Sequence, residues 1–284
     1  MKKIAIFAKV HNPRCQGVAG ELVDWLKKKR IKALVEPHLA RHLGITATKT
    51  ANILKEADLA VVLGGDGTLI STVRLIGERN LPILGVNLGS LGFLTEVTVE
   101  EMYAALERCL KGDFRVSNRV LLKSTLTRNG VDMGSRLVLN DVVINKGALA
   151  RIIDLATMVD EFELTTFKAD GLIISSPTGS TGYSLAAGGP ILYPTMNCMI
   201  VTPICPHILT NRPIVLEGSS VITVTVTSLD DEDIYLTLDG QVGTELKSGD
   251  VVTVKRARHS AKLVVSEERD YFEILRKKLK WGER

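Results

Sequence analysis

The sequence predicts two fold classes in one chain: an α/β domain with a parallel sheet, then an all-β domain of sandwich or barrel type. Three observations carry this. Strand-like apolar runs alternate with helix-periodic segments through the first hundred residues, the pattern of βαβ units. From about Val116 the runs become short, β-branched and often alternating, with few helices between them. The end, "RDYFEILRKKLKWGER", is helical by pattern and is expected to pack back on the first domain. The expected boundaries are 1–115, 116–265 and 266–284.

Taken in order, "KIAIFAKV" reads as a first strand. Its five apolar residues before Lys9 are too few for a signal-peptide core. "GVAGELVDWLKKKRI" sets Val18, Leu22, Trp25 and Leu26 at helical spacing, and "KALVEP" gives a second strand. "ADLAVVLGG" is almost wholly apolar, as a strand buried on both faces should be. "GTLISTVRLIGE" follows as a helix, and "LPILGVNLGSLGFL" as a strand ending in a glycine-rich loop. "TVEEMYAALERCLKGDF" predicts a short helix with Thr98 as N-cap, acidic residues in its first turn and Gly112 as its stop. The β domain is expected to draw strands from "RVLLKSTLTRNG", "RLVLNDVVINKG", "ARIIDLATMVDEFELTTFKADGLIISS", "SSVITVTVTS", "DIYLTLDGQ", "DVVTVKRA" and "AKLVVSE". Asn129-Gly130, Lys146-Gly147 and Ser248-Gly249 are turn signals between them.

Composition narrows the function classes. At 5% aromatic the chain is poor in the rings a single-strand nucleic-acid platform needs. A net charge of +4 admits an anionic ligand, but no basic stripe with interleaved aromatics marks a nucleic-acid binder. The lysines of "LKKKR" and of the terminal segment read as solvated faces. Four scattered cysteines form no CxxC pair, which argues against structural zinc and for free thiols in a reducing cytoplasm. No apolar run approaches the length of a membrane span.

Three segments carry chemistry. "GGDGT" follows the apolar strand and opens a helix, the place where open α/β sheets bind ligands. Gly64, Gly65 and Gly67 let the chain turn sharply and offer consecutive N–H groups to an oxyanion, helped by the helix N-terminus. Asp66 would repel a phosphate, so it needs a role of its own: a general base, a ligand for Mg²⁺, or merely a helix cap. No GxxxxGK[ST] is present, so this is not a P-loop. In "VLNDVVINKG", Asn140-Asp141 interrupts a strand, either as a bulge or Asx-type kink or as a polar pair suited to vicinal ribose hydroxyls. "KADGLIISSPTGSTGYSLAAGGPIL" runs from a strand into a loop of hydroxyls and glycines that fits a sugar-bearing or phosphorylated ligand, or serves as a plain connection. Tyr183 in it either stacks on a base or covers the core edge.

Together these segments resemble the NAD kinase family, in its bacterial ATP-NAD kinase form. "GGDGT", "LND" and "DGLIISSPTGSTGYSLAAGGPIL" stand in the family's order and spacing, and "LGFL" and "PICPHILTNRPIVL" are similar to its further signatures. The resemblance spans about residues 4–265. "GGDGT" alone is shared with diacylglycerol and sphingosine kinases; the full set is specific.

The resemblance implies transfer of the γ-phosphoryl of ATP to the 2′-hydroxyl of the adenosine ribose of NAD, with a divalent cation, Mg²⁺, carried on the ATP. It implies a Rossmann-like three-layer α/β domain and a C-terminal β-sandwich, with the active site between them. It also implies a cytoplasmic homo-oligomer, dimer or tetramer, in which a neighbouring subunit completes that site, without nucleic-acid or membrane partners. Position by position, Asp66 matches the proton acceptor, with Gly64, Gly65, Gly67 and Thr68 forming the phosphate turn. Gly67 lies beside the bound ligands and Phe93 near the adenine. Asn140 and Asp141 match the dinucleotide contacts, Asp141 facing ribose hydroxyls. Arg151, Lys168 and Asp170 match binding positions in the β domain. Thr181, Gly182, Tyr183, Ser184 and Ala186 fall in the nicotinamide and adenine loop, and Gln241 is the late contact. Gly182 stands where many members carry Ala, and Lys168 at a position where members vary, which leaves the choice between NAD and NADH open.

On the residues alone two other readings stay open. A lipid kinase uses the same turn but needs an apolar slot or membrane-facing surface, and no exposed amphipathic stretch supplies one. A non-catalytic dinucleotide sensor would keep the pocket, yet has no need of a carboxylate beside the phosphate.

Overall fold

The unbroken apolar run at 59–63 becomes an interior strand of a parallel sheet, with all five residues buried on both faces. The computed structural model describes residues 1–9, 12–89, 91–147, 151–228 and 233–282. Ser90, in the expected glycine-rich loop, lies outside them. The chain forms two compact units, one of residues 1–118 with 261 onward, the other of residues 119–260.

The first unit runs β1 (Lys3–Ala8), α1 (Pro13–Lys28), β2 (Lys32–Val35), α2 (Pro37–Leu43), α3 (Thr50–Glu56), β3 (Leu59–Leu63), α4 (Asp66–Ile76), β4 (Pro82–Asn87), β5 (Val97–Thr98), α5 (Met102–Lys111) and β6 (Val116–Arg119). Its sheet order is β2-β1-β3-β4-β19-β6, with β5 on β4, and β1, β2, β3, β4 and β5 pair in parallel; β19 is Ala261–Val264. One face buries Ile4, Ile6, Val61 and Val86 against Val18, Leu22 and Leu26 of α1 and Leu106 of α5. Alternation along each strand turns Ala5, Phe7, Ala60 and Val62, also buried, to the other face. Helix α1 starts where Asn12 caps it, its Oδ1 accepting the Arg14 N–H at 3.0 Å, with Pro13 in the first turn.

Two local expectations change, and the terminal helix falls where it was expected. Helix α5 begins at Met102, not after a Thr98 cap: Thr98 belongs to β5 and its N–H is taken by the Glu101 carboxylate at 2.9 Å. Gly112 does end that helix, at φ 80°. The strand from "AKLVVSE" pairs in parallel with β4 and so joins this sheet, not the β domain. The terminal helix α7 (Tyr271–Leu279), with Ile274 and Leu275 buried, belongs to the same unit.

The second unit contains β7 (Leu122–Arg128), β8 (Val131–Val138), β9 (Asp141–Lys146), β10 (Ile153–Val159), β11 (Phe162–Ala169), β12 (Gly171–Ser175), a 3-10 turn at Thr178–Thr181, α6 (Tyr183–Ala186), β13 (Cys198–Ile204), β14 (Ile214–Glu217), β15 (Ile222–Val226), β16 (Ile234–Leu238), β17 (Val242–Leu246) and β18 (Val251–Arg256). Two antiparallel sheets, β11-β10-β15-β18-β7-β8 and β14-β13-β12-β9-β16-β17, share one core that includes Leu122, Leu155 and Val224 from one and Ile144, Ile174 and Val201 from the other. Asn129 and Gly130, at φ 51° and 78°, make the two-residue hairpin between β7 and β8. Lys146-Gly147 closes no hairpin, because β9 pairs with β12 and β16 while β10 lies in the opposite sheet.

Candidate active site

Two candidate sites are built, one in each unit. In the first unit, β1 has β2 on one side and β3 on the other, so the strand order reverses there. Ligands of open α/β sheets sit outside the carboxyl ends of strands at such a point. A cavity of about 300 Å³ lies there, lined by residues that follow β1 (Lys9, Asn12), β3 (Gly64, Gly65, Asp66) and β4 (Leu88, Gly89), and by Lys278 of α7.

Gly64 donates its N–H to Val86 O at 3.0 Å, which commits that amide to the sheet. The expected run of three glycine donors therefore loses its first member. Gly65 is the N-cap of α4, and its carbonyl accepts from Thr68 and Leu69. A Cβ on Gly65 or Gly67 would meet nothing within 4 Å, so both flanks of Asp66 are open.

Asp66 is the first helical residue and does not cap its helix, which removes the capping reading. Its Oδ1 accepts from the N–H groups of Leu94 and Thr95, each at 3.1 Å, and from Thr95 Oγ1 at 3.0 Å. Its Oδ2 accepts the Phe93 N–H at 2.8 Å. A carboxylate has about two lone-pair sites per oxygen, so Oδ1 is saturated and Oδ2 keeps one. The loop approaches so closely that a Cβ on Gly92 would collide with Oδ1 of Asp66 and with Thr95 Oγ1.

In the second unit, Leu139-Asn140 is neither a bulge nor an edge kink. It is the corner where the chain leaves one sheet at Val138 and enters the other at Asp141. Asp239 holds this corner, accepting the N–H groups of Leu139, Asn140 and Asp141 at 3.1, 2.7 and 3.3 Å. From the other side Ser176 donates its N–H to Asn140 O at 2.8 Å and its hydroxyl to Leu139 O at 2.5 Å. A cavity of about 340 Å³ opens over the corner, lined among others by Asn140, Asp141, Gly182, Tyr183 and Asp239. Burial pushes the Asp141 carboxyl up, the Asp239 carboxylate pushes it further, and the Tyr183 N–H opposes them; the pKa is raised to about 7. The buried Oδ1 of Asn140 has no partner among the described residues.

Comparison with known proteins identifies the class. The ATP-NAD kinase N-terminal domain matches residues 4–114, and the ATP-NAD kinase C-terminal domain matches residues 139–266. The chain belongs to the NAD kinase family. It is similar to the NAD kinases of Geobacter sulfurreducens, 66% identical, and Geotalea daltonii, 64% identical, over the full length of each. Among solved structures, yeast NADH kinase complexed with NADH has a TM-score of 0.94 at 26% identity, covering 100% of this chain and 89% of that one. An NAD kinase from Archaeoglobus fulgidus in complex with ATP has a TM-score of 0.75 at 24% identity, covering 98% of each, a likeness of fold. As a family member the chain is a phosphotransferase, which sets the lipid-kinase and sensor readings aside.

Of the residues singled out in the sequence, Gly64, Gly65 and Asp66 line the first cavity, and Asn140, Asp141, Gly182 and Tyr183 the second. Gly67 and Thr68 follow Asp66 in α4, and a Cβ on Gly64 would press on the Thr68 side chain. Phe93 enters through its backbone, its ring lying 6.0 Å from Lys278 Nζ. Tyr183 is half exposed at the cavity rim and is not a core cover. Lys168 pairs loosely with Asp154 at 3.7 Å, and Asp170 with Lys146 at 3.6 Å. Arg151, Lys168, Asp170, Thr181, Ala186 and Gln241 do not line the cavity.

The "SSPTGSTGYS" hydroxyls mostly build the loop and do not offer themselves to a ligand. Ser180 Oγ donates to Pro177 O at 2.7 Å, and the buried Ser184 hydroxyl meets Thr202 Oγ1 at 3.0 Å. Buried hydroxyls are mostly paired, and the partners of Ser180 and Ser184 are internal, whereas the buried Thr178 Oγ1 has no partner among the described residues. Sequence reasoning missed Asp239, although it stands two residues before Gln241 in "LDGQ". It also took Lys278 for part of a solvated face, and passed over Lys9 and Thr95.

Proposed function

We propose that this chain transfers the γ-phosphoryl of ATP to the 2′-hydroxyl of the adenosine ribose of NAD, with Asp66 accepting the hydroxyl proton. An alcohol is a poor nucleophile at neutral pH, so a carboxylate within hydrogen-bond reach takes its proton as the phosphoryl arrives. The new bond forms between the ribose oxygen and the γ-phosphorus. The bond from that phosphorus to the bridging oxygen breaks, and ADP leaves with the electron pair. Oδ2 is the oxygen suited to the proton, because Oδ1 is already filled by three donors.

The observation that carries this reading is a carboxylate held in place by four donors, lining the switch-point cavity beside Gly65 and flanked by glycines with open space at their Cβ positions. The Gly65 and Gly67 turn and the start of α4 supply dipoles for developing phosphoryl charge, a contribution worth several kcal/mol, about 2.7–4 per donor removed in comparable sites. Asn140 and Asp141 bind the ribose, with Asp239 fixing the corner that presents them.

Among the described residues no group of three or more acidic, histidine or cysteine side chains is placed to hold a metal. One carboxylate in a phosphate cavity fits Mg²⁺ that arrives on the nucleotide and keeps part of its water shell. Bound there, it would neutralise charge on the phosphates. No helix is long and apolar enough to cross a membrane. Cytoplasmic residence and assembly into a dimer or tetramer that completes the site belong to this proposal, and sedimentation of the purified chain checks the assembly.

The test is an assay of NADP formation with NAD or NADH as acceptor and ATP or polyphosphate as donor. NADP from NAD and ATP is the expected result. Absence of a 2′-phosphorylated product with every pair would overturn the reading.

A further inference from the structure

The first-unit cavity is lined by one anionic side chain, Asp66, and two cationic ones, Lys9 and Lys278. Neither ammonium has a carboxylate partner among the described residues. The contrast within the terminal helix is instructive. Lys277 pairs with Glu273 at 2.8 Å in an i,i+4 bridge, whereas Lys278, about 100° further round the helix, faces Phe93 with Nζ 6.0 Å from the ring. That is the outer limit of a cation–π contact, weak enough to yield to a phosphate.

Lys278 is also held in place. Asp270 caps α7 by accepting the Glu273 N–H at 2.8 Å, Ile274 and Leu275 are buried, and Arg269 forks onto Glu101 just before the helix. A surface lysine on a frayed terminus would have no such fixed aim. The cavity therefore combines net positive lining charge, open glycine flanks and a helix start, a combination that selects a polyanion over a neutral group.

We propose that Lys278, with Lys9 across the cavity, binds the triphosphate of the donor beside Asp66, making the terminal helix part of the nucleotide site. This rests on the kinase reading above and adds a residue outside every motif that carries the family resemblance. The two ammonium groups offset the repulsion that Asp66 exerts on an incoming phosphate.

The experiment compares Lys278→Ala, Lys278→Arg and Lys278→Glu in the full-length chain. Alanine should raise KM for ATP about tenfold, a loss of about 1.4 kcal/mol, while leaving KM for NAD within twofold. Arginine should retain most of the affinity and glutamate should lose more than alanine. Calorimetric titration with inorganic tripolyphosphate, without NAD, should show the same ranking and a shallower salt dependence for alanine. Unchanged ATP and tripolyphosphate affinities in Lys278→Ala would overturn the proposal. So would an effect confined to KM for NAD, which would place the lysine on the dinucleotide. Wild-type chain that binds tripolyphosphate but makes no NADP would instead overturn the kinase reading and leave the anion site standing.

Discussion

The backbone N–H of Phe93 donates to Oδ2 of Asp66 at 2.8 Å, so the loop bearing the aromatic ring hangs on the carboxylate proposed to take the substrate proton. Leu94 and Thr95 hang on the other oxygen of the same group. One side chain thus sets the loop and lines the cavity, and any change to it acts on both.

Asp66→Asn is expected to lower turnover by about 10²–10⁴-fold, the range for losing a general base. The structure adds a second effect. If the amide oxygen keeps the three donors of Oδ1, its NH₂ confronts the Phe93 N–H, and the unmade bond costs about 1–3 kcal/mol. Thermal unfolding measured beside turnover separates the two. Turnover within threefold of wild type, with the fold weakened, would reduce Asp66 to a loop anchor.

Two glycines give a cleaner contrast. A Cβ on Gly92 runs into Asp66 and Thr95, so Gly92→Ala should displace the loop, cost about 1–3 kcal/mol and depress kcat. A Cβ on Gly67 meets nothing, and Gly67 lies inside a helix, so Gly67→Ala should stabilise the fold by about 0.5–1 kcal/mol. If ATP lies against that flank, the same variant raises KM for ATP. A more stable Gly67→Ala with unchanged ATP kinetics would place the nucleotide elsewhere.

The parts legible in the sequence were those governed by local rules. The buried strand before "GGDGT" showed as an unbroken apolar run, and Gly112 and Asn129-Gly130 acted where turn chemistry put them. Helices α2 and α3, of seven residues each, escaped notice because two turns are too short to display a period. The "AKLVV" strand was read with its sequence neighbours, yet its sheet is chosen by a partner, Ile83, some 180 residues earlier, and alternation carries no such information. Asp239 went unread for the same reason. Its carboxylate serves the backbone of residues about 100 positions away, and a Leu-Asp-Gly turn looks like any other. Ser184 misled in the opposite sense, since a hydroxyl-rich loop looks the same whether its hydroxyls face a ligand or each other.

Asp141 predicts a pH dependence for dinucleotide binding. Its carboxyl is raised to about 7 by burial and by Asp239, so the acceptor form populates only as pH climbs through that value. Ribose hydroxyls donate to the ionised form, so KM for NAD should rise by up to about tenfold per unit below pH 7 and level off above it. Binding below pH 7 should release protons, visible in calorimetry as a heat that varies with the buffer. The stability consequence has the opposite sense: the folded chain holds this proton more tightly than the unfolded one, so Asp141 favours the fold less as pH rises from about 4 to above 7. A wild-type KM for NAD that stays flat from about pH 6 to about pH 8 would remove an ionising Asp141 from the ribose site.

The fork of Arg269 on Glu101 provides the last test, because it anchors the segment that leads into α7. Arg269 Nη2 lies 2.5 Å from Glu101 Oε1 and Nη1 lies 2.8 Å from Oε2, while Nη1 also donates to Glu96 O at 3.1 Å. The Arg269 hydrogen bonds, chiefly, hold the Glu101 carboxyl down to about 2, against an ordinary 4.5. A depressed carboxyl stabilises the fold above its unfolded pKa and loses that contribution as pH falls through the folded one. The contribution is therefore complete above about pH 4.5 and gone near pH 2. Glu101→Gln should destabilise the first unit by about 1.5–3 kcal/mol at neutral pH, the worth of hydrogen bonds to a charged group. Its deficit relative to wild type should shrink across that acid window. If the clamp sets where α7 begins and so where Lys278 sits, Arg269→Ala should raise KM for ATP in the same direction as Lys278→Ala, without touching the cavity charge. Denaturant unfolding at several pH values, with ATP kinetics on the same variants, checks both. A pH-independent deficit would assign the loss to packing, and unaltered ATP kinetics in Arg269→Ala would uncouple the clamp from the nucleotide.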